Sequence, residues 1–175
     1  MTVIGDPYPD FTWGITNTFR FYNFDLSILF QGVHGGDVIN ADATYKDVQI
    51  RNEKYNIRHR WVSESHPGDG RTPTTYGVPW INTDYDVEDA SYAALRNITL
   101  GYTLPKHISK KIHLKSLRIY VTANNLWFIT SKSYRGINPE YRNTSSPYDD
   151  TLISGYQRGS FPMVMTFTTG IDINF

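Results

Sequence analysis

The side chains that could carry chemistry are few and scattered. The five histidines, His34, His59, His66, His107 and His113, have no zinc-type spacing and no HExxH. There is no cysteine, which excludes disulfides, thiolate metal sites and a thiol nucleophile. Neither GxSxG, GxGxxG nor a phosphate-binding loop occurs. Paired acids, Glu88-Asp89 and Asp149-Asp150, fall in loop sequence. Hydrolytic carboxylates need a fixed separation across a cleft, and neither pair has an evident partner. Bond chemistry and a cofactor are therefore not expected.

Binding chemistry is better represented. Trp61, Tyr76, Trp80, Tyr85, Tyr134, Tyr141, Tyr148 and Tyr156 lie outside the regular segments. Exposed aromatics can stack on sugar rings or peptide side chains; equally, they can pack loops together or meet a protein partner. Of these, Trp61, Trp80, Tyr85, Tyr134 and Tyr141 are the candidate substrate contacts. A second set, Arg20, Arg118, Tyr120 and Asn124, lies on the polar track of otherwise apolar segments.

The elements that must position these residues follow from a period of two. Over positions 11–22, Phe11, Trp13, Ile15, Phe19 and Phe21 alternate with Thr12, Gly14, Thr16, Thr18 and Arg20. Asn23 offers a turn, since Asn tolerates left-handed backbone angles. Phe24, Leu26, Ile28 and Phe30 then share one face of a strand over 24–32. A third strand spans 92–104, with Ile98, Leu100, Tyr102 and Leu104 on one face. Arg96 falls on that apolar track, so a bulge or the water boundary is expected there. The fourth begins at Leu117, with Ile119, Val121 and Ala123 in phase. The last spans 163–175: Met163, Met165, Phe167, Thr169, Ile171, Ile173 and Phe175 share a face.

Short connections join the first and second strands and the third and fourth. Long ones follow the second and the fourth. Antiparallel pairing puts both long connections at one end. The 41–61 stretch of the first long connection places Tyr45, Val48, Asn52 and Tyr55 on one helical face, so a short helix is expected there. In the 105–116 turn a short helix on Ile108 and Ile112 carries Lys106, Lys110, Lys111 and Lys115 nearby.

Among 175 residues, 17 Lys and Arg balance 17 Asp and Glu, so no long-range field favours nucleic acid. Charged residues are 19% and aromatics 15%, a low-charge, aromatic-rich β composition. No apolar run is long enough for a membrane helix. A soluble carbohydrate-binding β-sandwich would alternate in the same way. Long strands, aromatics near strand ends and unequal connections favour an outer-membrane barrel wall instead. Five strands cannot close such a barrel, so the chain reads as part of something larger.

Five segments, in order, resemble SusC/RagA-type TonB-linked outer-membrane transporters. They are Gly5-Asp6-Pro7-Tyr8-Pro9-Asp10-Phe11-Thr12-Trp13-Gly14, Phe24 through Gly32, Asp89 through Pro105, Leu117 through Leu126, and Ser160 through Phe175. The resemblance implies an all-β fold of five long antiparallel strands, the C-terminal slice of a 22-stranded transmembrane barrel with long extracellular loops. It implies that 1–175 is the C-terminal part of the barrel, without plug domain or earlier strands. It implies import of oligosaccharide or peptide, with a SusD-like surface lipoprotein and the TonB complex as partners. It places the chain in the outer membrane with a periplasmic C-terminus. On that reading Arg20, Arg118, Tyr120 and Asn124 face the lumen, and alternate apolar residues face outer-membrane lipid. Phe175 becomes a signal read by the barrel-assembly machinery through strand pairing and an aromatic pocket.

Overall fold

The computed structural model describes residues 2–41, 59–74, 83–141 and 155–175. The expected helix at Tyr45, Val48, Asn52 and Tyr55 lies outside the described residues, as do Tyr76, Trp80, Tyr148 and Asp149-Asp150. The chain divides into two compact units, Met1–Asp10 with His34–Ser91 and Thr130–Pro162, and Phe11–Val33 with Tyr92–Ile129 and Met163–Phe175.

The second unit, here the sheet unit, is built from the alternating segments. Its long strands are β1 (Pro9–Phe21), β2 (Phe24–Gly35), β5 (Tyr92–Thr103), β6 (Ser116–Thr130) and β8 (Thr166–Asn174). Three short strands, β3 (Asp37–Asn40), β4 (Val87–Asp89) and β7 (Tyr156–Gln157), lie outside it. The five long strands form one sheet in the order β1-β2-β5-β6-β8. Each thus pairs with its nearest long neighbour in sequence, as in an up-and-down meander. The last strand starts at Thr166, later than the expected Met163, because pairing with β6 ends at Asn124↔Thr166.

One detail of this sheet was legible in the phase of the side chains. Between β2 and β5 the register jumps from Leu29↔Asn97 to Phe30↔Leu95, so Arg96 is the extra residue of a bulge. The bulge exchanges the faces of the residues before it. Its guanidinium carbon then lies 4.9 Å from the Phe128 ring centre and 5.8 Å from that of Tyr92, and Nη1 donates to Asn125 Oδ1 at 3.1 Å. The β1–β2 turn differs from expectation: the left-handed residue is Tyr22 (φ 52), not Asn23. A two-residue hairpin needs positive φ at its first central position, and Tyr22 holds that place. Its ring packs edge-on against Phe21, 4.5 Å between centres.

At the same end of the sheet, Thr103 N–H donates to Asn23 O and Lys115 N–H to Asn174 O. Between β5 and β6 lies α1 (Lys106–Lys111). His113 beyond it has φ 60, and its N–H bonds Lys110 O while Leu114 N–H bonds Ser109 O. That is the paired bonding of a Schellman cap, with His in the place that favours glycine. The helix was expected, but its buried residue is Ser109, while Ile108 and Ile112 are exposed.

The other unit, here the loop unit, holds a three-stranded sheet of order β4-β3-β7. β3 pairs antiparallel with β4 and parallel with β7. Val38, Ala90 and Tyr134 are its buried apolar cluster. Sequence reading missed this sheet, because strands so short carry no period.

Candidate functional site

The faces of the five-stranded sheet differ in kind. Phe11, Ile15, Phe19 and Phe21 of β1, Ile119, Val121, Trp127 and Ile129 of β6, and Phe167, Ile171 and Ile173 of β8 are all exposed. Trp13 of this track lies over Gly32, where a β-carbon would collide with the indole. A soluble domain rarely exposes so continuous an apolar surface. The structure therefore gives no support to a sandwich, whose apolar faces would be covered by a second sheet.

The opposite face is polar and bonded to itself. Arg118 of β6 reaches Asp25 of β2 through Nε (3.0 Å) and Nη2 (2.6 Å), and Asp172 of β8 through Nη1 (3.1 Å). β5 lies between β2 and β6, and Gly101 is the residue paired with Asp25. With no side chain it leaves the guanidinium room to cross; a β-carbon there would strike both Arg118 and Asp25. The Tyr120 ring lies over Gly170 in the same way, with the Arg118 guanidinium carbon 5.1 Å from its centre. Farther along, Thr99 and Thr122 hydroxyls are 2.9 Å apart, Asn97 Nδ2 donates to Asn124 Oδ1 (2.8 Å), and Asn124 Nδ2 to Thr166 Oγ1 (3.2 Å).

The structure thus brings Arg118, Tyr120 and Asn124 of β6 onto one face, as the alternation predicts, and places Arg20 on β1 at the edge of the sheet. Arg20 borders a recess of about 520 Å³ lined also by Thr18, Tyr22, Asn23, Phe24, Asp25, Thr103 and Arg118.

The loop unit is organised around buried polar groups. Glu88 is 2% exposed. Its Oε1 accepts from Arg135 Nε at 2.5 Å and its Oε2 from Arg135 N (2.8 Å) and Asn40 Nδ2 (3.0 Å). Arg135 also donates Nη2 to Tyr85 O and stacks on the Tyr85 ring, 4.4 Å to its centre. Burial works against the Arg135 charge, but Glu88 beside it and Tyr85 hold its pKa above the ordinary guanidinium value. Burial likewise opposes the Asp89 charge, yet hydrogen bonds from the Ser91 hydroxyl and amide keep that carboxyl below the usual range. Gln157 accepts from Tyr134 Oη (2.8 Å) and donates Nε2 to Tyr141 O (2.7 Å).

These contacts sort the loop aromatics. Tyr134 is buried, its hydroxyl committed to Gln157, so it is a packing residue and not the exposed contact expected. Tyr85 is half-buried and stacked on Arg135. Tyr141 is half-buried, with backbone contacts to Gln157. Trp61 remains exposed, on the segment 59–74, where its N–H bonds Thr72 O. Trp80 lies outside the described residues. Arg135, Asn40 and Gln157 escaped the sequence reading, and Glu88 figured there only as half of an acidic pair in loop sequence, whereas the structure puts it on β4.

Relatives align along nearly the whole chain. TonB-dependent receptor P3 of Formosa agariphila is 35% identical over 175 residues, 99% of this chain and 17% of its own length. TonB-dependent receptor SusC of Bacteroides thetaiotaomicron is 25% identical over 97% of this chain and 15% of its own. Among solved structures, the RagAB peptide importer in its open-open state superposes with a TM-score of 0.76 at 21% identity, covering 96% of this chain and 17% of that one. This chain is a SusC/RagA-type barrel segment. The SusC/RagA likeness explains why a five-stranded sheet leaves one face apolar and exposed: it is a slice of wall. The RagAB peptide importer in its closed-closed state gives a TM-score of 0.74 at 20% identity over 99% of the chain and 18% of that one. No family model matches the sequence. The chain spans about a sixth of the length of the curated TonB-dependent receptors it matches.

Proposed function

We propose that this chain is the C-terminal part of an outer-membrane nutrient importer, forming barrel wall and outer vestibule. The observation that carries the reading is the division of five long strands into an exposed apolar face and a self-bonded polar face. Phe11 and Phe21 mark the ends of the apolar track on β1. At about 3.3 Å per residue that is about 33 Å of strand, or about 25 Å at a tilt of about 40°, the height of a barrel's apolar band. The polar face, with Arg20, Arg118, Tyr120 and Asn124, then lines the interior.

The solute is an oligosaccharide or a peptide, met by the loop unit and Trp61. A SusD-like surface lipoprotein and the TonB complex are the partners of the whole protein. Phe175, exposed just past β8, is read by the assembly machinery. Deleting it from the parent protein should lower barrel yield in cells, and normal yield would remove that role.

The test of the whole reading is made on the full-length parent. It should fractionate with the outer membrane and dissolve only in detergent. Cells lacking it should lose uptake of either a labelled oligosaccharide or a labelled peptide. A parent recovered in the aqueous fraction would overturn the proposal.

A further inference from the structure

We infer that the turn between β5 and β6 is a membrane-surface site that seats on the anionic phospholipid of the periplasmic leaflet. Lys106, Lys110, Lys111 and Lys115 fall within residues 106–115, which contain no Asp or Glu. All four lysines are exposed, and none forms an ion pair among the described residues. The chain as a whole balances 17 cations with 17 acids, so this excess is local. The one acid of the adjoining β8, Asp172, is bonded to Arg118.

Lysines alone describe a solvated turn; the second observation is apolar. Ile108 and Ile112 stand one helical turn apart and so share a face, yet they are 40% and 50% exposed. The helix is anchored through Ser109 instead, whose hydroxyl lies 3.5 Å from Leu104 O and from Pro105 O. Two isoleucines held in water beside four lysines bring a soluble turn no stability. At a bilayer they enter the boundary of headgroup and acyl chain, while the lysine stems carry their ammonium groups to the phosphates.

The third observation is the order of side chains toward this end of the sheet. Ile119 and Ile171 lie on the exposed apolar face. Beyond them come Phe21, Tyr22 and Phe175, all exposed, and then the basic turn, tied to the sheet end by Lys115 N–H to Asn174 O. Ile119 to Lys115 is about 13 Å of extended chain. Apolar band, aromatic rim and cations thus follow one another as hydrocarbon, interface and phosphate do across one leaflet. A leaflet of zwitterionic lipid has no net charge to offer the lysines, whereas an anionic one attracts each of them.

The inference rests on the proposed function, which lays the sheet in a bilayer with its short turns toward the periplasm. The experiment places the full-length parent in lipid nanodiscs of phosphatidylcholine alone, or of an equal mixture with phosphatidylglycerol. Acetic anhydride modifies free amines, and its rate at each lysine is read by peptide mass spectrometry. Exposed Lys132, beyond the other end of β6, is the internal control. Lys106, Lys110, Lys111 and Lys115 should react about fivefold more slowly in the mixture than in phosphatidylcholine, with Lys132 unchanged. The difference should vanish at about 1 M salt, which screens the phosphates. In the double variant Ile108→Ser, Ile112→Ser the protection should fall by more than half. Lysines that react at the Lys132 rate in both lipids would overturn the inference. So would equal protection in both, which means that polypeptide covers the turn, or full protection in the serine variant. A parent that does not enter nanodiscs at all would instead count against the proposed function.

Discussion

Arg118 reaches Asp25 by crossing the bare backbone of Gly101. The pair ties β2 to β6 over an intervening strand, and the bond to Asp172 extends the tie to β8. A glycine in a strand interior is ordinarily unfavourable by about 0.5–1 kcal/mol relative to alanine. Here the missing side chain is what lets the ion pair close.

The sign of that effect can be reversed by mutation. Gly101→Ala should destabilise the parent barrel by about 1–3 kcal/mol, because the added methyl displaces the guanidinium. In an Arg118→Ala background the same change should be neutral or stabilising, as a strand gains an ordinary residue. Urea midpoints of the detergent-folded parent give both numbers. Equal destabilisation in the two backgrounds would show that Gly101 has some other purpose.

Glu88 holds the loop unit through Arg135 and Asn40. Removing one member of a buried ion pair leaves the other uncompensated, a loss of about 3–5 kcal/mol. Arg135 is partly exposed, so Glu88→Gln belongs at the lower end. The expected result is faster limited proteolysis of the loop unit with the membrane strands unaffected. Glu88→Gln combined with Arg135→Met should recover part of the loss. A cleavage pattern identical to that of the unmutated protein would contradict the proposed hub.

Asp69 is set for a pH effect. Its carboxyl accepts from Thr72 N (2.6 Å), Thr72 Oγ1 (2.7 Å) and Arg71 N (2.8 Å). These bonds, the Thr72 backbone first, lower its pKa to about 2. A depressed carboxyl stabilises its loop above the ordinary value of 3.8 and loses that support as pH falls toward 2. Hydrogen exchange at the Thr72 and Arg71 amides, corrected for intrinsic rates, should therefore accelerate between pH 4 and pH 2. Asp69→Asn should show weak protection at every pH, and an unchanged profile in that variant would rule the carboxylate out.

His113 occupies a left-handed position at the end of α1. That conformation is strained by about 1–2 kcal/mol for a residue with a β-carbon. His113→Gly should thus raise stability by up to about 1 kcal/mol, after glycine's greater chain entropy is deducted. Thermal melting of the parent reads the change, and a lower melting temperature would mean that the imidazole has contacts of its own.

What was legible in the sequence was whatever obeys a local period. Phe11 through Phe21 and Leu117 through Val121 declare their faces two residues at a time. Even the Arg96 bulge was visible, as an error of phase. Tyr22 in the turn was not, because the neighbouring Asn23 carries the stronger local preference and strand register overrode it. The Arg118–Asp25 pair joins residues 93 positions apart, and only the register of β2 on β5 brings them together. Glu88, Asn40 and Gln157 belong to strands of three, four and two residues, too short to alternate. Tyr134 looked like an exposed loop aromatic because nothing nearby in sequence announces the pocket that buries it.

Ile119 and Ile171 are paired across β6 and β8 on the apolar face, and both are exposed. If that face meets lipid, a lysine near the middle of the band destabilises by about 2–4 kcal/mol, and less toward either interface. Ile171→Lys in the parent should therefore sharply reduce outer-membrane yield, while Phe21→Lys, at the end of the β1 track, should be milder. Thr122→Lys on the polar face at a similar depth should assemble better than Ile171→Lys, since its ammonium would enter a wet interior. The order of the three yields is what matters. Were Ile171→Lys to assemble as well as Thr122→Lys, the apolar face would not be a lipid face.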